Sequence, residues 1–188
     1  YYGYSNLAEY QLFWNLEYGQ WAKIFDSVQK VLCLLSNFKY DLSYKDYMSF
    51  YFNKTVERVT LFQKFAELNY NNYLNFNGRV IVNGTECDSF FNLIDDIKER
   101  ISLIYDSNQG SIMHGDFCFN NILYDISSGT IRLIDQRGSY GQKKNGIWGD
   151  SLYDYAKFAH SSIGMYDYLA NGMFEFNKDN QNFSIKFF

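Results

Sequence analysis

Apolar side chains recur every three to four positions in several stretches of this chain, and that spacing predicts helices. Leu7, Tyr10, Phe13 and Trp14 fall on one side of a short helix over residues 6–16, which Asn6 can cap. Trp21, Ile24, Phe25, Val28, Val31, Leu32 and Leu35 form the stripe of a longer amphipathic helix over 18–36. A second long helix is expected over 43–68, with Tyr44, Tyr47, Met48, Tyr51, Val59, Phe62 and Ala66 inward, and the Asn-rich stretch 69–77 ends it. Arg79-Val80-Ile81-Val82 then reads as a short strand closed by an Asn83-Gly84 turn. Asp88 is placed to cap a third helix, in which Phe91, Ile94, Ile97, Ile101 and Ile104 repeat at helical spacing. Ile122-Leu123-Tyr124 and Thr130-Ile131-Arg132-Leu133-Ile134 flank Asp125-Ile126-Ser127-Ser128-Gly129, the pattern of a β-hairpin. Asp150 or Ser151 opens a helix through 164, with Leu152, Tyr155, Phe158 and Ala159 inward. The tail alternates as a second hairpin, 173–176 against 183–188, around a turn at 177–180. These elements predict an α+β class, mainly α.

Composition narrows the function classes. With 188 residues, 47% of them hydrophobic and 20% charged, the chain is long enough for one globular domain with a substantial core, and it shows no internal repeat or linker. A net charge of −4 and a pI near 5.1 argue against a nucleic-acid partner or a general anionic-membrane surface. No apolar run reaches the ~18 residues of a membrane span. The three cysteines, Cys33, Cys87 and Cys118, are far apart and form no C-x-x-C pair, so neither a disulfide framework nor a zinc ribbon is supported. Reduced thiols and a cytoplasmic location are the expectation.

The chemistry-bearing stretch is His114-Gly115-Asp116-Phe117-Cys118-Phe119-Asn120-Asn121, followed by Leu133-Ile134-Asp135. It supplies an aspartate, an asparagine five residues on, and a second aspartate after an apolar strand. Phosphoryl transfer from a nucleotide needs such a set: a carboxylate to orient the attacking hydroxyl and oxygen ligands to hold magnesium. The intervening hairpin returns the chain on itself and brings Asn121 at its start beside Asp135 at its end. Asn120 lies next to Asn121, but only Asn121 has the required spacing. Asp135 closes an apolar strand, where a charge is costly unless a cation or hydrogen bonds compensate it.

The order matches the kinase pattern H-x-D-x-x-x-x-N followed by D-x-G, although here the glycine of Asp135-Gln136-Arg137-Gly138 comes one residue late. Glycine between His114 and Asp116 resembles the H-G-D-x-x-x-x-N-I-L form of aminoglycoside phosphotransferases, choline kinases and related small-molecule kinases. Gly149-Asp150-Ser151-Leu152-Tyr153-Asp154-Tyr155-Ala156-Lys157 resembles that superfamily's G-D-P-x-Y-D-L-A-K segment. Tyr1-Tyr2-Gly3-Tyr4-Ser5-Asn6-Leu7-Ala8-Glu9 is similar to the hinge and first large-lobe helix of sugar or capsule-type members. The resemblance covers most of 1–170 and is closest over 114–157.

It implies the C-terminal, large lobe of a protein-kinase-like fold with a catalytic-loop hairpin. Residues 1–5 would be a hinge remnant, and the N-terminal lobe would lie outside this sequence. No glycine-rich phosphate loop occurs in these residues. The resemblance further implies transfer of the γ-phosphoryl group of ATP, or another NTP, to the hydroxyl of a small molecule: a sugar or capsule precursor, a choline-like alcohol or an aminoglycoside. Asp116 would be the catalytic carboxylate, and Asn121 and Asp135 would hold Mg2+ and, through it, the nucleotide. His114 and Asp154 would brace the catalytic loop. Gly115 and Gly138 would permit close backbone approach. Asp150 could cap a helix or face substrate, and Arg137 could contact a phosphate, an acidic substrate group or solvent.

Two other readings use the same residues. A metal-dependent hydrolase could gather His114, Asp116, Asp135 and His160 around zinc or manganese. That reading leaves Asn121 and residues 149–157 unexplained. A non-catalytic kinase-like interaction module is the other, and the intact Asp116, Asn121 and Asp135 weigh against it.

Overall fold

The computed structural model describes residues 3–70, 78–140, 143–144 and 146–188. Tyr1, Tyr2 and most of the Asn-rich stretch therefore lie outside the described residues. In chain order the elements are β1 (Ser5–Asn6), α1 (Leu7–Phe13), α2 (Tyr18–Ser36), α3 (Tyr44–Met48), a π-helical turn (Ser49–Asn53) and α4 (Lys54–Tyr70). There follow β2 (Val80–Val82), β3 (Thr85–Cys87), α5 (Ile94–Leu103), β4 (Gly110–Ile112), β5 (Ile122–Asp125) and β6 (Thr130–Leu133). The series ends with β7 (Ser139–Tyr140), β8 (Lys143–Lys144), β9 (Trp148–Asp150), α6 (Ser151–Ser162), α7 (Tyr166–Ala170), β10 (Phe174–Asp179) and β11 (Asn182–Phe187). The class is mixed α+β. No described helix is long and apolar enough to cross a membrane.

Two compact units divide the chain, one formed by Tyr1–Ser43 with Asp106–Gly172, the other by Tyr44–Tyr105 with Met173–Phe188. No break in composition marks either boundary.

The first unit is built around α2. Its stripe buries Ile24, Val28 and Leu32 against Leu7, Ala8 and Tyr10 of α1 and against Phe117, Phe119, Ile122 and Tyr124 of the central loop and hairpin. Trp21 stacks on Phe119 with ring centroids 6.1 Å apart. Helix α1 is shorter than expected. Asn6 does cap it, its side chain accepting from Glu9 N–H at 2.7 Å, but Trp14 is already extended and both Phe13 and Trp14 are exposed.

The predicted hairpin forms as β5 and β6, in the register Ile122↔Leu133 to Asp125↔Thr130, and β1 adds to its edge through Ser5↔Tyr124. Gly110–Ile112 pairs as β4 with β9 through Gly110↔Asp150 and Ile112↔Trp148. The short segment β7 pairs with β8.

In the second unit, the predicted helix over 43–68 forms as α3, the π turn and α4. Lys54 N–H reaches Ser49 O and so widens the helix there. Tyr47, Met48, Phe50 and Ala66 are buried, whereas Tyr44 and Phe62 are exposed. The Asn83-Gly84 turn joins β2 to β3, both residues having positive φ. Asp88 caps no helix. Its carboxylate is held by Arg79 Nε at 3.0 Å, and α5 starts six residues later after Leu93 without a side-chain cap. The tail hairpin is longer than expected. Asn177↔Ser184 and Asp179↔Asn182 pair, so the turn shrinks to Asn180-Gln181, with Asn180 at φ +54°.

At the tip of the β5–β6 hairpin, Asp125 accepts from the Ser127 hydroxyl at 2.6 Å, the Ser128 hydroxyl at 2.7 Å and Ser127 N–H at 2.9 Å. These bonds, the Ser127 hydroxyl first, hold its carboxyl down at about 2. A lowered carboxyl pKa means that the contribution to the turn is complete above the ordinary Asp range and is lost as pH falls through about 2. Carbon-detected NMR titration of Asp125 should therefore give a midpoint near 2, with the Ser127 amide shifting in step. A midpoint in the ordinary range would mean that the turn bonds do not persist in solution.

Candidate functional site

The loop between β4 and β5 cannot form regular ladders, so its backbone donors need other acceptors. Helix α6 supplies them. The Asp154 carboxylate accepts His114 N–H at 2.6 Å through Oδ2 and Gly115 N–H at 2.8 Å through Oδ1. Asp154 is buried. Burial pushes its carboxyl above the ordinary value, against the pull of the two backbone N–H groups. One turn further along α6, Lys157 Nζ lies 2.8 Å from Asp116 Oδ1. One turn further again, Ser161 Oγ accepts Phe119 N–H at 3.1 Å. A single polar face of one helix thus holds the loop at residues 114–115, 116 and 119.

His114 fastens the loop to the hairpin. Its Nδ1 faces Asp116 N–H at 3.3 Å and can only accept there, so Nε2 carries the proton and donates to Ile134 O at 2.9 Å. Its own carbonyl accepts Arg137 N–H at 2.8 Å. Gly115 has φ +80°, and a Cβ there would stand 2.9 Å from Arg137 Cβ, so this position requires glycine both for conformation and for space. Gly138 does not fit the same expectation. A Cβ built on it meets nothing within 4 Å, so no close approach takes place there.

Asp116 is half-buried on the loop. Asn121 donates through Nδ2 to the Asp116 carbonyl at 2.9 Å and to its Oδ2 at 3.3 Å. With the NH2 end committed to Asp116, the amide oxygen is the end left for a cation. Asn120 has a separate partner: its Nδ2 donates to Asp167 Oδ1 at 2.9 Å. Ile134 N–H closes onto Asn121 O at 3.1 Å, so Asp135 stands one residue beyond the asparagine's own cross-strand partner. Asp135 is exposed and left-handed, with φ +56°, a conformation that aspartate tolerates better than most residues. Asp116 and Asn121 are thus hydrogen-bonded to each other, and Asp135 follows the residue whose N–H meets the Asn121 carbonyl.

Asp150 and Arg137 are drawn inward. Asp150 is wholly buried and caps α6, accepting Leu152 N–H at 2.9 Å. Of the two roles open to it, this is the helix cap. Arg137 is half-buried, with Nη1 donating to the Tyr153 hydroxyl at 3.3 Å.

Compared with protein-family models, with curated proteins and with solved structures, the chain finds no match. The geometry must carry the reading by itself. Among the described residues no three His, Cys, Asp or Glu side chains are placed to share a metal. His114 has both ring nitrogens engaged, and the His160 ring lies against Tyr166 with centroids 4.4 Å apart. Burial and the nearby Lys157 charge lower the His160 pKa.

Sequence reasoning overlooked Lys157 and Ser161. The signal was the spacing of Asp150, Asp154, Lys157 and Ser161, polar residues four, three and four apart, which places them on one helical face. Of the apolar positions expected inward, Tyr155 and Phe158 pack against the core. Leu152 is exposed, while Asp154 and Ser161 are the buried residues of α6. Desolvation pulls the Lys157 ammonium down, but the hydrogen bond and charge of Asp116 outweigh it and its pKa lies above the ordinary value.

Truncating the Asp154 carboxylate should unfasten the loop. Asp154→Ala orphans two buried N–H donors, at about 1–3 kcal/mol each, so urea unfolding should show a loss of about 2–6 kcal/mol. A loss below about 1 kcal/mol would mean that those donors find other acceptors.

Proposed function

We propose that this chain carries the catalytic half of a magnesium-dependent small-molecule kinase, the large lobe of a protein-kinase-like fold. The observation that carries this reading is the joint placement of Asp116 and Asn121, hydrogen-bonded at 2.9 and 3.3 Å, with Asp135 one residue past the strand partner of Asn121. A structural loop has no need of that set. In-line transfer to a hydroxyl needs each member of it.

Asp116 meets the acceptor hydroxyl, orients its oxygen on the γ-phosphorus and takes its proton as the O–P bond forms and the bond to the leaving nucleoside diphosphate breaks. The Asn121 amide oxygen and the Asp135 carboxylate are hard donors suited to Mg2+, which needs few protein ligands. When bound, the ion neutralises charge on the β- and γ-phosphates. The loop brings its carboxylate to the reaction already oriented, and that orientation is where the protein's contribution to the rate arises. A neutral sugar hydroxyl leads among acceptors, followed by choline-like alcohols and aminoglycosides.

The test is a transfer screen with the complete protein, ATP or GTP, Mg2+ and those three acceptor classes. Asp116→Asn should lower kcat by roughly 10²–10⁴-fold, with the thermal unfolding midpoint unchanged, and chelation of Mg2+ should abolish turnover. Transfer by Asp116→Asn at the parent rate would remove Asp116 from the mechanism.

A further inference from the structure

We propose that Lys157 is the positioning residue of this site, fixing the Asp116 carboxylate in the orientation that meets the acceptor hydroxyl. The inference rests on the kinase reading given above. A lysine–carboxylate pair on a protein surface usually contributes little, because two long side chains must be held in one geometry. Three features set this pair apart.

The lysine is sheltered, with its side chain 23% exposed and that of Asp116 33% exposed. Its backbone is anchored on both sides, by Asp154 one turn before and Ser161 one turn after, and both anchors bind the same loop that carries Asp116. The ammonium therefore stands at a place set by helix docking rather than by its own flexibility. Finally, the two carboxylate oxygens have different partners. Oδ1 faces Lys157 Nζ at 2.8 Å and Oδ2 faces Asn121 Nδ2 at 3.3 Å. Contacts at both ends favour one orientation of the carboxylate plane, and each oxygen keeps lone pairs to spare. The acceptor proton has a defined place to go.

The ammonium keeps its protons throughout. The acceptor O–H bond breaks, its proton passes to Asp116, the O–P bond forms, and the leaving nucleoside diphosphate departs with the electron pair of the broken P–O bond. The lysine thus acts through Asp116. It also cancels the carboxylate charge before substrate arrives, which removes an attraction for cationic acceptors and favours neutral hydroxyl compounds.

The experiment is a double-mutant cycle on the complete protein with the best acceptor of the transfer screen. Lys157→Met should lower kcat by about 10²-fold, the effect of a misplaced reacting group, with KM for the nucleotide and the unfolding midpoint unchanged. Lys157→Arg, which keeps the charge, should recover most of the loss. Asp116→Asn combined with Lys157→Met should be no slower than Asp116→Asn alone, since a residue that acts through another loses its effect when that partner is gone. Additive losses, or an Arg variant as slow as the Met variant, would overturn the proposal. A crystal structure of Lys157→Met supplies a readout free of activity, in which the Asp116 carboxylate should leave its Asn121 contact. An unmoved carboxylate overturns the positioning role even if the parent transfers no phosphate, an outcome that would separately defeat the kinase reading.

Discussion

One carboxylate organises the first unit. Asp154 is buried in α6 and accepts two backbone N–H groups from His114 and Gly115, residues that belong to no ladder and have no other means of satisfying those donors. Without that acceptor, the loop between β4 and β5 would present buried, unpaired amides, an arrangement that folded proteins avoid. With it, the loop is clamped to a helix, and everything downstream inherits its position. The His114 ring reaches Ile134, Asn121 reaches Asp116, and the hairpin carries Asp135 to the same end.

Glycine at position 115 is the counterpart of this clamp. The left-handed backbone that aims two successive N–H groups at one carboxylate also brings the chain close to Arg137, where a side chain would collide. The two features are mutually dependent. Asp154 provides the acceptor, and Gly115 makes the approach geometrically possible. Nearby Asp150 begins the same helix as its cap, so two aspartates four apart set both where α6 starts and what it grips.

The parts of the fold legible in the sequence are those whose signal is hydropathy. The seven-residue apolar stripe of α2 marks a helix that coincides with the expected 18–36, and the hairpin over 122–134 follows from β-branched runs around a polar turn. The Asn-Gly turn at 83–84 was legible because its backbone demands those residues. What hydropathy cannot report is polar burial. The stripe Leu152, Tyr155, Phe158 and Ala159 marked only part of the inner face of α6: Tyr155 and Phe158 pack against the core, whereas Leu152 is exposed and Asp154 and Ser161 are buried through hydrogen bonds. Asp88 failed as a cap for a related reason: Arg79 across the β2–β3 hairpin competes for its carboxylate, and that partner is evident only once the strands pair. At the proposed site, motif spacing singled out Asp116, Asn121 and Asp135, but Lys157 is 41 residues from Asp116 in sequence and becomes its neighbour only through helix docking.

The same clamp makes the loop observable from the inside. The amide protons of His114 and Gly115 point at a buried carboxylate, so solvent deuterium reaches them only when α6 lets go. Their exchange rates therefore measure the free energy of that single opening event. If it matches the global unfolding free energy, loop and helix belong to the unit's last-melting structure. If it is smaller, the loop breathes on its own, and the protein spends a measurable fraction of its time with Asp116 unfastened while the core around α2 stays closed.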